Sequence, residues 1–202
     1  PADPYPNIAT PFYQDSFAIC METRNDDTYF FTNNPVGRLR PETNTFATVA
    51  AEHTNNPKGN RSTAAYDSRR HRFLVVGGTE DDKHLFDVAT QASTEITLTG
   101  AEASTVQGIA HDSTMMYIPA LDVFLLCPSP GTGGVLYQIQ AASPYACTVF
   151  STSGGSGIPA CGDNGGGNEQ PMYSKMLYVA LLKSIVHFPR HNEGGWICRV
   201  HA

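Results

Sequence analysis

Apolar residues fall along this chain in short runs of four to seven, separated by clusters of Gly, Pro, Asn, Asp and Ser. Between positions 62 and 98 the runs are "TAAYD", "RFLVVGG", "HLFDV" and "TEITL". Each is too short for a stable helix and rich in β-branched or aromatic residues, which is the pattern of strands joined by tight turns. The region from 113 to 150 has the same layout in "TMMYI", "VFLLC", "VLYQIQ" and "CTVF". It returns again in "KMLYV", "SIVHF" and "GWICRV", and a weaker first set reads "FAICME", "TYFFT", "GRLR" and "TFATVA".

The layout is a true internal repeat. Moved forward by 51 positions, 62–98 lies without a gap on 113–149, with identities Ser62/Ser113, Thr63/Thr114, Tyr66/Tyr117, Phe73/Phe124, Leu74/Leu125, Leu85/Leu136 and Thr97/Thr148. Moved on by 61, 113–139 falls on 174–200 and matches at Ser174, Tyr178, Leu182, Pro189, Gly194 and Gly195. Ser-x-x-x-Tyr therefore opens three units, and the first unit aligns only with gaps. A four-stranded meander cannot bury both of its faces alone, and radial repetition solves that problem. A β-sandwich also has evenly spaced strands but gives no reason for an ungapped offset. The expectation is an all-β, single-domain β-propeller over 1–202, of about four four-stranded antiparallel blades at approximately 12–50, 61–99, 112–150 and 172–201. The last unit stops after its third strand, so residues 1–11, whose prolines suit an edge strand, are the expected closing strand. The alternative is a fragment of a larger ring. Tyr66, Tyr117 and Tyr178 are expected to be equivalent core positions whose phenols need polar partners.

The second unit resembles the kelch type of propeller, in the broad galactose-oxidase-like superfamily. "RFLVVGG" followed by "HLFDVATQASTEITL" is similar to that family's strand, Gly-Gly turn, strand, Asp-x-x-Thr, strand layout. "RLRPETNTFATV" is similar in the first unit. Two features depart from the pattern: Gly77-Gly78 is replaced by Cys127-Pro128 and Phe188-Pro189, and the sole Trp196 lies in a third strand. The resemblance carries no copper site across, because no Tyr/His ligand set matches residue by residue.

Composition narrows the chemistry. A net charge of −6 with no basic stripe argues against nucleic acid, and no apolar run is long enough to span a membrane. The residues as they stand show no signal peptide or anchor, which implies a soluble chain of unassigned compartment. Cys20, Cys127, Cys147, Cys161 and Cys198 have no paired spacing of the zinc type and sit mostly in apolar runs, so they read as small buried thiols. No metal and no cofactor is expected. "RNDD" and "TEDDK" read as solvated turn tips, and the glycine-rich "CGDNGGGNEQ" fails the spacing of a calcium loop.

Long connections sit at one end of the strands and short turns at the other, and rigid scaffolds usually carry recognition on their long loops. The candidate binding residues are therefore Asn60, Arg61, His111 and Asp112, which precede inner strands, and Glu80, Asp81, Asp82, Arg190, His191 and Asn192 in second-to-third turns. His111-Asp112 cannot act as a dyad within one strand, since neighbours point to opposite faces. His187 and His191 cannot share a helix face across Pro189. No catalytic residue is assigned. The expected function is a non-catalytic recognition or assembly module for a protein surface or a glycan, such as a viral or cell-surface structural component. A glycan-active hydrolase or lyase is the alternative, and it would need paired carboxylates at the channel mouth.

Overall fold

A computed structural model describes residues 18–31, 36–50, 62–77, 82–110, 113–128, 135–151, 176–187 and 196–200. Strand makes up 58% of them, and the fold is all-β, of the β-propeller class, built from four antiparallel meander sheets. The first blade holds β1 (Ala18–Met21), β2 (Thr28–Phe31), β3 (Val36–Arg40) and β4 (Thr45–Ala50); the second holds β5 (Ser62–Asp67), β6 (Arg72–Gly77), β7 (Asp82–Asp87) and β8 (Ala92–Glu95). The third holds β9 (Thr114–Ile118), β10 (Val123–Cys127), β11 (Leu136–Gln140) and β12 (Cys147–Phe150). In the fourth, β13 (Met176–Val179), β14 (Ser184–His187) and β15 (Trp196–Arg199) are described, and the closing strand expected of residues 1–11 lies outside the described residues. The chain divides into two compact units, 1–96 and 97–202, each with two blades.

Strand pairing shows how far the repeat holds. Tyr66 pairs with Phe73, Tyr117 with Phe124 and Tyr178 with Ile185, so the first hairpins follow the 51 and 61 offsets. At the third strand the offset slips: Phe73 faces Phe86, whereas Phe124 faces Ile139, which puts Phe86 in register with Ile139 and not with Tyr137. The Leu85/Leu136 identity is therefore not a structural equivalence. The slip is even, and an even slip keeps every side chain on its own face. Thr148, opposite Gln138, corresponds to Thr94, opposite Leu85, and not to Thr97. The strand expected at 94–98 is β8 instead, because pairing with β7 starts at Ala92; Ile96 and Leu98 are buried beyond its end.

In the first unit, one face of blade 1 (Tyr29, Phe31, Val36) packs on the opposite face of blade 2 (Tyr66, Phe73, Val75, Phe86). In the second unit, Ile118, Val123, Leu125, Cys127 and Leu136 of blade 3 pack in the same sense on Met176 and Ile185 of blade 4. We call the first kind of face leading and the second trailing. The second strands β6 and β10 are buried on both faces, with Phe73, Leu74, Val75 and Val76 wholly inaccessible. Double burial explains why these strands read as continuous apolar runs and not as alternating ones. Each large side chain so buried contributes about 1.5–3 kcal/mol.

The long connection after β8 contains a helix, α1 (Ala103–Ile109), with Val106 as its buried residue. Gly100 makes the docking possible. Its φ is +88°, and a β-carbon there would stand 2.7 Å from the Cys147 carbonyl oxygen. Thr99 bridges to Ala146 in parallel, and the Cys147 N–H donates to the Thr99 carbonyl at 2.7 Å, which fixes the connection against the start of β12.

Candidate functional site

The first-to-second turns of the blades share one backbone device. Asp26, His71, Asp122 and Lys183 all have φ between 46° and 57°, in the left-handed region, four residues after Glu22, Asp67, Ile118 and Val179. In the first unit an acid at the start of the turn is drawn into the structure. Asp67, fully buried, accepts the N–H groups of Arg69 and Arg70 at 3.1 Å through one oxygen. Its other oxygen accepts Arg70 Nη1 at 3.0 Å and Arg72 Nε at 3.4 Å. Glu22, also fully buried, accepts the Arg24 N–H, the Asn25 N–H at 3.1 Å and Asn25 Nδ2 at 2.9 Å.

Burial alone would push the Glu22 carboxyl up, but the N–H groups of Arg24 and Asn25 and the adjacent Tyr66 phenol together outweigh it and hold the group below its usual range. Burial first, and then Glu22, pushes the Tyr66 phenol well above its ordinary value. Tyr117 has the expected polar partner: its hydroxyl donates to Asp122 at 2.7 Å. Both tyrosines also stack on the facing phenylalanine, with centroids 5.1 Å apart for Tyr66–Phe73 and 5.3 Å for Tyr117–Phe124. Both are packing positions, as the repeat implies; the Tyr117 phenol is satisfied by Asp122, while the buried Tyr66 hydroxyl lies beside Glu22 without a well-formed hydrogen bond.

"RNDD" does not behave as a solvated tip throughout. Asp27 is buried, and its carboxylate lies 3.7 Å from Arg38 Nε and 3.5 Å from Arg40 Nε. Over this triad opens a cleft of about 230 Å³ lined by Asn25, Asp27, Arg40, Glu42 and Thr43. It offers a half-exposed guanidinium, a carboxylate, an amide and a hydroxyl, a set suited to holding a small polar group. Asp27 is engaged by two guanidinium groups and the Asn25 amide by Glu22, while the exposed Glu42 brings a second carboxylate to the lining. The signal for this cleft was the spacing Arg38-x-Arg40, two cations on one face of a strand, but the acid they meet is set by strand register.

The burial read from the cysteine sequence contexts is seen at Cys127 and Cys147, which are buried, while Cys20 and Cys198 are half-buried residues packed against the two cores; Cys161 lies outside the described residues. Burial pushes the Cys147 thiol up to about 11 and the Cys20 thiol up to about 12, so neither supplies a thiolate nucleophile near neutral pH. Among the described residues no group of three or more His, Cys, Asp or Glu is placed to hold a metal ion. Likewise none of their helices is long and apolar enough to cross a membrane. Of the candidate binding residues, Asp82 begins β7 opposite Gly77, at the end of blade 2 that carries the second-to-third turn. Asn60, Arg61, Glu80, Asp81, His111, Asp112, Arg190, His191 and Asn192 lie outside the described residues. His187 ends β14 and is buried, in register with Met176 and Trp196, so it belongs to a strand as Pro189 requires.

No protein-family model and no curated protein sequence matches the chain. Similarity appears at the level of fold, to propeller-type proteins of known structure. YjhT aligns with a TM-score of 0.53 at 12% identity, over 77% of this chain and 56% of its own. An auxiliary nutrient binding protein from Bacteroides ovatus aligns at 0.53 and 10% identity, over 93% of this chain and 45% of its own. TolB from Acinetobacter baumannii aligns at 0.51 and 13% identity, over 89% and 39%. The chain thus spans between about two fifths and just over half of the lengths of these proteins.

Proposed function

We propose that this chain is a recognition module that binds a protein surface or a glycan through the strand ends carrying its long connections. One observation carries the reading. Among the described residues the four first-to-second turns and the three third-to-fourth turns are short and pinned by left-handed residues, at Asp26, His71, Asp122 and Lys183 and at Asn44, Gln91 and Tyr145. The segments 51–61, 96–113 and 151–175 leave from the other ends of the strands and are far longer. A scaffold rigid at one end and elaborated at the other is the usual arrangement of a binding protein. The Bacteroides ovatus neighbour, a nutrient binding protein by its description, agrees with a binding role, although a shared fold transfers function only by analogy. The kelch-like reading belongs to the same proposal, supported by Gly77, whose φ of +98° is the conformation a Gly-Gly turn requires.

The test is binding to an oligosaccharide array and to a panel of purified cell-surface proteins. Replacing Glu80, Asp81 and Asp82 with Ser, or Arg190, His191 and Asn192 with Ala, should weaken binding at least fivefold and leave the fold intact. Ala89→Lys, at an exposed third-to-fourth turn of blade 2, is the control. Arg70 and Asp122 are unsuitable controls, because the structure ties them to Asp67 and Tyr117. Loss of binding in the control with retention in the long-loop variants would refute the assignment. Turnover of any oligosaccharide would favour the hydrolase or lyase instead.

A further inference from the structure

We propose that the cleft at the turn end of blade 1 binds a small zwitterion of the α-amino acid class, its carboxylate on Arg40 and its ammonium group on Glu42 and the Asp26 carbonyl. The backbone sets this blade apart. In blades 2, 3 and 4 the residue after the third strand donates its N–H to the carbonyl of the left-handed turn residue, Val88 to His71, Ala141 to Asp122 and Val200 to Lys183. In blade 1 that residue is Pro41, which has no N–H, and no described backbone N–H donates to the Asp26 carbonyl instead. Asp26 stands between Asn25 and Asp27, and Pro41 between Arg40 and Glu42. The open acceptor therefore belongs to the wall of the cleft of about 230 Å³ that these four neighbours line with Thr43.

Charge selects the class of ligand. Asp27 Oδ2 takes the Nε atoms of Arg38 and Arg40 at 3.7 and 3.5 Å, and this use of Nε leaves the two amino groups of the half-exposed Arg40 to grip a carboxylate as a fork. Glu42 and Thr43, both exposed, add a carboxylate and a hydroxyl to the same lining. A simple anion would meet Asp27 and Glu42, and a simple cation would meet Arg38 and Arg40. A molecule carrying both charges escapes either repulsion. All five lining residues are polar, so the apolar face of a sugar ring would find no wall to cover it. A second observation points to the same place. Two positions along the strands from Asp27 and Arg40, Tyr29 pairs with Arg38 on the leading face, and the buried Tyr29 hydroxyl and buried Arg38 Nε both lack a well-formed hydrogen bond. Buried polar atoms are normally bonded, so unmet hydrogen-bonding capacity adjoins the acid at the base of the cleft.

Isothermal titration calorimetry of the chain with glycine, L-alanine and L-threonine tests the idea. At least one should bind with a dissociation constant below about 1 mM, which lies within the efficiency of very small ligands. Propionate and ethylamine, which are alanine without its ammonium or its carboxylate, should bind at least tenfold more weakly than the amino acids, and so should glucose. Arg40→Lys keeps a positive charge beside Asp27 but gives up the fork, and should weaken binding at least fivefold. Glu42→Gln should do the same, with unchanged circular dichroism in both. Pro41→Ala supplies the N–H that the other blades have, so it should also weaken binding by occupying the Asp26 carbonyl. The cleft stands at the strand ends opposite the long connections, and replacing Glu80, Asp81 and Asp82 should leave amino acid binding as it is in the parent. No binding by any of the three amino acids up to about 10 mM, propionate, ethylamine or glucose binding as tightly as they do, or an Arg40→Lys chain that binds like the parent would overturn the proposal.

Discussion

The two units close the same hairpin turn in different ways. All four turns place a left-handed residue at the same point, and in three of them the residue after the third strand returns to it: the N–H of Val88 donates to the His71 carbonyl, that of Ala141 to Asp122 and that of Val200 to Lys183, whereas blade 1 has Pro41, with no N–H, at that position. In the first unit the turn is also capped by a buried carboxylate, Glu22 or Asp67. In the second, Ile118 and Val179 stand at those positions, and backbone bonds suffice, from Leu121 to the Ile118 carbonyl at 3.2 Å and from Lys183 to the Ala180 carbonyl at 3.1 Å. The backbone geometry is thus what the repeat requires, and the carboxylate is an addition that ties arginines and a tyrosine to the turn. A buried acid stays in place only when its oxygens are fully bonded, so once it is present its partners become obligatory.

Removing the acid should break the comparison most. Asp67→Ala removes a buried acceptor shared by Arg70, Arg72 and two N–H groups, and should cost about 3 kcal/mol in chemical denaturation, since truncating one partner of a buried ionic network is strongly destabilising. Asp67→Asn, which keeps an acceptor, should lose clearly less; equal losses would mean that the carboxylate charge contributes nothing.

The pH dependence of stability sharpens the contrast. Glu22 is held below its ordinary value of 4.5 in the folded state, so the stability it supplies is present above that value and is lost as pH falls through the lower folded value. Tyr66 is raised in the folded state, so its contribution is complete below about 10 and is lost as pH rises through its folded value. Glu22→Gln should flatten the acid limb of a stability profile and Tyr66→Phe the alkaline limb. An acid limb unchanged in Glu22→Gln would show that other carboxylates control it.

The smallest effect is expected in the second unit. Tyr117→Phe removes one hydroxyl-to-carboxylate bond in a half-buried setting and should cost about 1 kcal/mol, read by the same denaturation experiment. A loss equal to that of Asp67→Ala would mean that the turn without a capping acid depends on its tyrosine as much as the capped turn depends on its acid.

Much of the fold was legible in the sequence because its signal is local. Strand runs such as Val123–Cys127 and Cys147–Phe150 stand where the apolar pattern puts them, since alternation and turn residues act within a few positions. The candidate site was much less legible. Asp27 sits in an acidic tetrapeptide that looks solvated, and only the approach of Arg38 and Arg40 from another strand buries it. Identities between repeats also misled at the third strand, where Leu85 and Leu136 align in sequence but not in register.

The sequence by itself determined the number of repeats, the meander within each and the positions of the first hairpins, because short-range backbone preference and apolar periodicity are written residue by residue. Tertiary structure alone decided which face of each sheet is covered, where α1 docks beside Gly100, and which acids are buried and paired. Those outcomes depend on groups far apart in the chain reaching van der Waals or hydrogen-bond distance, and a linear pattern carries no record of that distance.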